Sequence, residues 1–140
     1  MTTAIDTNVI VALWGTEPGI SSAVQEALDA IGDQGPLVMA APVFAELQAA
    51  PSRSASLLDS FCEEAGIRVE WELRETIWRA AGEAFRGYAI RRRKHREIAP
   101  RRILTDFLIG AHARENGYHL LTLDERLYRA AFPKLEIVRI

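Results

Sequence analysis

The sequence predicts an α/β protein with three layers, in which helices flank a short five-stranded parallel sheet. Two observations lead to this fold class. Short apolar runs of strand length recur along the chain, and a segment with helical spacing of apolar residues follows each run except the last. Because parallel strands need crossover connections, which are right-handed, this alternation predicts a doubly wound sheet of flavodoxin-like type.

The first half of the chain is expected to supply three strands. Pro42 suits the first turn of a helix, and Ser21 or Ser22 is a suitable cap for the helix that follows the break at residues 17–19. Gly66 ends the last helix of this half. The predicted elements, in order, are a strand at 3–5, helices at 8–14 and from about 21 to 35, a strand at 37–40, helices at 42–50 and at about 52–65, and a strand at 67–69.

The second half is expected to add two more strands. A long amphipathic helix begins at about residue 72 and continues into a basic stretch that Pro100 interrupts. Gly117 is a good residue to end the next helix. The remaining predicted elements are a helix at 105–116, a strand at 118–122, a helix at 124–131 and an edge strand at 135–138.

Length and composition place the chain among ordinary globular proteins. At 140 residues, with 49% apolar and 26% charged residues, it is expected to form a single domain spanning 1–140. No apolar stretch approaches the roughly 18 residues of a membrane span, and the first residues lack the pattern of a signal peptide. The single cysteine, Cys62, excludes an internal disulfide and a cysteine-based zinc site, and it is expected to be buried on a helix. We therefore expect a cytoplasmic protein without a membrane partner.

Four acidic residues are the main functional signal. Asp6 and Asp124 follow apolar strands, Asp106 stands in the first turn of a predicted helix, and Glu46 lies on the short helix after the second strand. In an open parallel sheet, functional groups collect outside the carboxyl ends of the strands. Carboxylates that meet there have one common use, which is to hold a hard divalent cation.

Each acid has a plainer interpretation. Asp6, Asp106 and Asp124 all fall where a carboxylate caps a helix or opposes its dipole, and each taken singly is as well explained that way. Glu46 is harder to explain as a surface charge, because its neighbours along the helix are apolar.

The charges are strongly segregated along the chain. Residues 1–50 contain six acidic groups and neither Lys nor Arg, whereas residues 86–102 have a local balance of +7. Such a chain suits a polyanionic partner that is bound directly at one place and through metal ions at another. A run of charge is usually just a solvated helix face, so this alternative stays open. The candidates for contact with RNA phosphates are Arg91, Arg92, Arg93 and Lys94.

Four motifs, in order along nearly the whole chain, carry a family resemblance. They are Ile5-Asp6-Thr7-Asn8, then Pro42-Val43-Phe44-Ala45-Glu46-Leu47, then the segment 103–113 around Thr105-Asp106, and Leu121-Thr122-Leu123-Asp124. Each motif alone is weak. Together they resemble the PIN-domain ribonucleases and, within them, the VapC-type toxins of bacterial toxin–antitoxin pairs. A basic segment as long as 86–102 departs from the shortest members.

The resemblance implies a function and a set of roles. It implies an endoribonuclease that depends on Mg²⁺ or Mn²⁺ and cleaves structured RNA such as tRNA or rRNA. Its cognate partner is an antitoxin protein, and a homodimer is expected. Two unit charges ~4 Å apart repel by about 4 kcal/mol at an effective dielectric near 20, so a cation is needed for the acids to meet. The implied metal-binding and catalytic residues are Asp6, Glu46, Asp106 and Asp124, with Thr7, Asn8 and Thr122 orienting water or phosphate.

Two other functions remain to be weighed. A PIN-like module that binds RNA or protein without catalysis would be expected to have lost at least one of the four acids. An aspartyl-phosphate phosphatase or receiver-like domain also places an Asp after its first strand, but this chain lacks the D-x-D pair and a lysine after a late strand.

The remaining candidates have structural interpretations. His112 and His119 lack metal-ligand spacing to another His or Cys, and are expected to be structural. Trp14, Trp71 and Trp78 are expected to anchor the core or an interface rather than to stack on bases.

Overall fold

The computed structural model of the chain describes residues 1–95 and 102–140. Its strands form one parallel sheet, which confirms the α/β fold class with a five-stranded sheet. The strands are β1 (Thr3–Ile5), β2 (Leu37–Ala40), β3 (Ile67–Glu70), β4 (His119–Leu121) and β5 (Ile137–Val138).

Helices connect these strands. None of those within residues 1–95 and 102–140 is both long and apolar enough to cross a membrane. The helices are α1 (Thr7–Leu13), α2 (Pro18–Gln34), α3 (Ala41–Leu47), α4 (Ala55–Ala65), α5 (Glu75–His95), α6 (Leu104–Glu115) and α7 (Glu125–Ala131). The predicted break at Pro100 lies outside the described residues, and the basic stretch up to His95 is helical.

The strand order is β3-β2-β1-β4-β5, with β1 at the centre. Thr3 is in register with Leu37 of β2 on one side and with His119 of β4 on the other. The chain therefore builds the sheet outward from β1 to β3, then returns to add β4 and β5 beyond the other edge of β1. A flavodoxin-like sheet has the order 2-1-3-4-5, so the predicted flavodoxin-like type is wrong in its strand order. The alternation of strands and helices along the sequence does not show which edge of the sheet a later strand joins.

The central strands and α6 form most of the core. The side chains of β2 and of the ends of β1 and β4 are buried on both faces, as expected for a parallel sheet covered by helices. Every residue of α6 from Phe107 to Ala113 is buried. Gly110 permits this close packing, because a Cβ atom there would lie 2.3 Å from the ring of Phe132. The rings of Phe85 and Phe107 stack with their centroids 5.0 Å apart and join α5 to α6.

Three helix starts differ from the prediction. α2 begins at Pro18, and Ser21 does not cap it but donates a hydrogen bond to the carbonyl of Leu13 at 2.8 Å. α4 begins at Ala55 with Ser54 as its cap. α5 begins at Glu75 rather than near residue 72. Several serines and prolines near these positions are suitable for the start of a helix. Tertiary contacts determine which of them the fold uses.

The tryptophans divide between the core and the surface. Trp14 is half-buried, with the Phe61 ring 5.1 Å away and the Arg53 guanidinium 4.2 Å above it. Trp71 and Trp78 are 60% and 50% exposed, so the core interpretation is wrong for both, and an interface role stays a prediction. Cys62 is buried on α4 as predicted, and its burial raises the pKa of the thiol.

Candidate functional site

Three of the four acids lie near the carboxyl ends of β1 and β4, where Asp106 interacts electrostatically with both Asp6 and Asp124. Asp6 follows β1, Asp124 follows β4, and Asp106 stands in the first turn of α6. Burial raises the pKa of both Asp6 and Asp106, and the charge of Asp106 adds to the shift at Asp6, as the charge of Asp124 does at Asp106. These strands flank the point at which the strand order reverses, where open α/β sheets bind their ligands.

Asp6 is the most deeply placed member of the cluster. Its side chain is 5% exposed, and the Thr122 hydroxyl donates a hydrogen bond to Oδ2 at 2.7 Å. Burial nevertheless outweighs the hydrogen bonds and raises the pKa of this carboxyl from 3.8 to about 6. The fold therefore holds a carboxylate where its ionised form is poorly solvated.

Thr122 and Asn8 fix the geometry around Asp6. The Thr122 oxygen accepts the backbone N–H of Asp124 at 3.0 Å and the Asn8 amide at 3.4 Å. The side-chain oxygen of Asn8, Oδ1, accepts a hydrogen bond from the backbone N–H of Leu123 at 3.1 Å. These bonds tie the start of α1 to the turn after β4 across more than a hundred residues. The orienting of water or phosphate by Thr122 and Asn8 stays a prediction.

Glu46 reaches the site through Thr7. The Thr7 hydroxyl donates to Oε1 of Glu46 at 2.6 Å, which joins α1 to the last turn of α3. Thr7 is the residue that follows Asp6, so Glu46 lies against the same end of the sheet. Thr7 thus has a defined partner, which the sequence motif alone did not indicate.

The helix-cap interpretation applies to one acid only. Oδ2 of Asp106 accepts the backbone N–H of Ile103 at 3.2 Å, which caps the start of α6. The side chains of Asp6 and Asp124 precede α1 and α7 but make no capping hydrogen bond. For these two residues, helix capping does not account for the carboxylate.

Two residues of the site were missed from the sequence, and Tyr128 is the first. It is 1% exposed, and its hydroxyl makes no well-formed hydrogen bond to a described atom. Burial raises the pKa of Tyr128, and the charges of Asp6, Asp106 and Asp124 raise it further, so the phenol stays protonated beside the acids. Its position four residues after Asp124, on the same face of α7, was the available signal.

Arg102 is the second missed residue. Its Nη1 atom lies 2.6 Å from Oδ2 of Asp124, and both side chains are about one-third exposed. Its backbone N–H donates to the Tyr88 hydroxyl at 2.8 Å, and that hydroxyl also accepts Nη1 of Arg92 at 3.3 Å. In the sequence, Arg102 was counted with the basic segment, and nothing there marked it as a partner of an acid.

The basic end of α5 lies on the same side of the molecule as the acids. Arg74, at the entry to α5, donates to the carbonyl of Glu115 at the end of α6, whereas Tyr88 packs on Phe107 near the start of α6. The two helices are therefore antiparallel, and α5 continues about 10 Å past Tyr88 at 1.5 Å per residue. That extension carries the exposed side chains of Arg91, Arg93 and Lys94 and the half-buried side chain of Arg92.

The donor set suits a hard cation, although the acids are not gathered around one point. Within residues 1–95 and 102–140, no three His, Cys, Asp or Glu side chains are arranged to hold a metal ion. Each carboxylate is instead bonded to a donor of the protein: Asp6 to Thr122, Glu46 to Thr7, Asp106 to Ile103 and Asp124 to Arg102. The ligands are all oxygen, which favours Mg²⁺ or Mn²⁺ over softer ions.

His112 belongs to a separate, structural network. It is 1% exposed, and its Nε2 atom lies 2.8 Å from Oε1 of Glu70, whose Oε2 accepts the Tyr118 hydroxyl at 2.9 Å. Burial lowers the pKa of His112, so the neutral ring donates to the Glu70 carboxylate. This buried contact fits the structural role predicted for His112, which stays a prediction. His119 lies on β4, where it pairs in register with Thr3.

Several solved structures share this fold. The structure of VapBC2 from Rickettsia felis bound to a promoter DNA fragment matches with 20% identity and a TM-score of 0.70, over 99% of this chain and 98% of that one. VapBC-1 from nontypeable Haemophilus influenzae matches with 20% identity and a TM-score of 0.69 over the same shares. FitAcB from Neisseria gonorrhoeae matches with 17% identity and a TM-score of 0.59, over 96% and 95%.

These likenesses, at low identity, establish the fold. Among functionally curated proteins, none matches the sequence significantly. The sequence does match the PIN domain over residues 3–133, an extent that includes all four acids and all but the last strand. The chain therefore belongs to the PIN domain family.

Proposed function

We propose that this protein is a metal-dependent endoribonuclease and the toxin of a toxin–antitoxin pair. The observation that carries the proposal is the cluster of Asp6, Asp106 and Asp124, which interact electrostatically at the centre of a PIN-family sheet. Glu46 adjoins them through Thr7. A buried ionisable carboxylate that also interacts with a second acid costs folding free energy, and binding of a cation is a function that offsets this cost.

The metal would be held by Asp6, Glu46, Asp106 and Asp124, some directly and some through water. When bound, Mg²⁺ or Mn²⁺ supplies an acidified water and neutralises charge on the phosphate. The chain's own contribution is positioning. Thr122 holds the Asp6 carboxylate, and the low solvent exposure around Asp6 and Tyr128 strengthens every charge interaction made there.

The substrate we propose is a structured RNA such as tRNA or rRNA. The basic end of α5, from Arg91 to Lys94, lies on the same side as the acids and would bind backbone phosphates beyond the cleavage site. Sequence-specific RNA recognition usually targets single-stranded loops, which makes a loop of such an RNA the expected target.

The partner we propose is an antitoxin protein. The VapBC and FitAcB structures, which share the fold over nearly the whole chain, support this role. The acidic region 1–50 is the expected antitoxin surface, where a basic side chain of the antitoxin would enter the acid cluster. A homodimer of the toxin is also expected.

The test is cleavage of RNA by single variants of the acids. Asp6→Asn, Glu46→Gln, Asp106→Asn and Asp124→Asn each keep the side-chain shape and remove one charge. We expect near-complete loss of cleavage and of growth inhibition in each, with the fold retained. Asp33→Asn, at an exposed position of α2, is the matched control and should cleave like the wild type.

Two results would contradict the proposal. Full activity in any two of the four variants would exclude a shared site, and undiminished cleavage in EDTA would exclude metal dependence. RNA binding by the wild type without cleavage in Mg²⁺ or Mn²⁺ would favour the non-catalytic module instead. Mapping RNA 5′ ends after induction of the protein in cells would identify the target.

A further inference from the structure

We propose that Arg102 is a built-in counter-cation of the acidic site, which occupies Asp124 and opposes binding of the divalent metal ion until it releases that carboxylate. The inference rests on the proposed function and adds a regulatory residue to it. Its basis is the 2.6 Å contact between Nη1 of Arg102 and Oδ2 of Asp124, inside the cluster that the metal is expected to share.

Asp124 is engaged by Arg102 rather than by its own helix. Its side chain precedes α7 but makes no capping hydrogen bond there. Arg102 also interacts electrostatically with Asp106, so the charge of one guanidinium acts on two of the four acids. A positive charge in that place partly neutralises the cluster, and it repels a divalent cation approaching the same oxygens.

The backbone of Arg102 is held independently of its side chain. The Arg102 N–H donates to the Tyr88 hydroxyl at 2.8 Å. Tyr88 in turn packs on Phe107, with ring centroids 5.4 Å apart. The guanidinium can therefore leave Asp124 by rotation of its flexible side chain, while the Arg102 N–H keeps its hydrogen bond to the Tyr88 hydroxyl. Both partners are about one-third exposed, so release needs no opening of the core.

The guanidinium also has an alternative partner in the proposed reaction. Its planar set of donors matches a phosphate group as well as a carboxylate. An RNA phosphate that reaches the site would draw Arg102 from Asp124 and free the carboxylate for the metal. The alternative is an ordinary surface salt bridge, which would hold Arg102 in place and have no influence on metal binding.

The experiment is a Mn²⁺ titration of the full-length protein without RNA, followed by calorimetry and by the shift in melting temperature. We expect Arg102→Gln to bind Mn²⁺ about fivefold more tightly than the wild type, the factor that corresponds to a strong exposed ion pair. Arg102→Lys keeps the charge and should stay close to the wild type. Arg79→Gln removes an exposed arginine from the opposite end of α5, where it pairs with Glu75, and should change nothing.

Each outcome decides the proposal. Unchanged or weaker Mn²⁺ binding by Arg102→Gln would overturn it, as would equal tightening in Arg102→Lys, which would point to space rather than charge. If the wild type binds Mn²⁺ and Arg102→Gln binds it no better, only this inference fails. If neither the wild type nor any variant binds Mn²⁺, the proposed metal-dependent function fails with it.

Discussion

The burial of Asp6 costs folding free energy whenever its carboxyl group is ionised. Its carboxyl is buried next to Asp106, with Thr122 as its main hydrogen-bond donor. Because its pKa in the folded protein is about 6 rather than 3.8, the folded state binds more protons than the unfolded state between these values. The stability that protonation gives is therefore complete below about pH 3.8 and is lost as the pH rises through 6.

We predict that Asp6→Asn stabilises the metal-free protein at pH 7. The expected gain in free energy of unfolding is about 1–3 kcal/mol, since each unit of pKa shift corresponds to about 1.4 kcal/mol. The gain should shrink toward zero as the pH falls to 4, where the wild-type carboxyl is protonated too. Urea unfolding in EDTA at several pH values measures it.

The control for this prediction is Asp33→Asn, which removes an exposed carboxylate from α2. It should leave the free energy of unfolding nearly unchanged over the same pH range. A variant Asp6→Asn that is no more stable than the wild type at pH 7 would show that the buried charge is already compensated.

The sequence located the acids but not their partners. The positions of Asp6, Asp106 and Asp124 after strands or at a helix start follow from local pattern, and in the structure Asp106 interacts electrostatically with both of the other acids. Tyr128 enters the site with α7, and its spacing from Asp124 was the one local signal for it. Arg102 enters through its contact with Asp124, a residue 22 positions away, which no local spacing encodes.

α6 is the helix that positions Asp106 in the site. It carries Asp106 in its first turn and is buried along most of its length. Gly110 allows the helix to approach Phe132, whereas Gly82, on the exposed side of α5, has open space around it. The two glycines therefore offer a matched pair for testing how closely α6 is packed.

We predict opposite effects for alanine at these two positions. Gly110→Ala should lower the free energy of unfolding by about 1–3 kcal/mol, because the added methyl group collides with the Phe132 ring. Gly82→Ala should raise it by about 0.5–1 kcal/mol, since alanine favours the helix and meets no neighbour there. Thermal and urea unfolding measure both. A neutral Gly110→Ala would mean that Phe132 shifts freely and that α6 is less tightly held than its burial indicates.

The sequence pattern predicted that each strand and helix exists more accurately than it predicted where each one begins and ends. Every strand was predicted, and β1 and β2 with their bounds, because short apolar runs are strong signals. The starts of α2 and α4 were misplaced by about three residues, since Ser21 suited a cap as well as the position that the fold uses, and the helical pattern before α4 has no sharp beginning. At Ser52 the backbone instead has a positive φ of 63°, which excludes a helix there.

Across the whole molecule, the acidic site and the basic end of α5 lie on one side. If Arg91, Arg92, Arg93 and Lys94 bind RNA phosphates, replacing all four by Ala should weaken RNA binding about evenly across sequences. The plot of log affinity against log salt should flatten by about 0.7 for each lost contact. Cleavage at saturating RNA and binding of the antitoxin should both persist, because the acid cluster and region 1–50 are unchanged.

A matched control removes as much positive charge from elsewhere. Arg68, Arg74, Arg79 and Arg114 are exposed arginines outside the basic segment, and their fourfold Ala variant should keep the wild-type salt slope. Filter binding at several salt concentrations distinguishes the two variants. Equal slopes of log affinity against log salt in the wild type and the Arg91–Lys94 variant would show that the basic end of α5 is only a solvated helix face.

The fold class was predictable from the alternation of strands and helices, whereas the strand order was not. The pattern shows that β4 must join the sheet, but both edges were available to it, and no local feature of the sequence distinguishes them. The consequence for the site is large, because the order chosen places β1 beside β4 and so brings Asp6 to Thr122 and Asp124.

The central place of β1 also determines when the site can exist. Asp6 and its hydrogen-bond partner Thr122 are separated by 116 residues. At a synthesis rate of about 5–20 residues per second, a growing chain spends on the order of 10 s with Asp6 made and Thr122 not yet added. For nearly all of that interval β1 lacks its complete neighbour β4, and throughout it the site lacks Asp124. A protein with the activity proposed here would thus be harmless to its own translation until its synthesis is nearly finished.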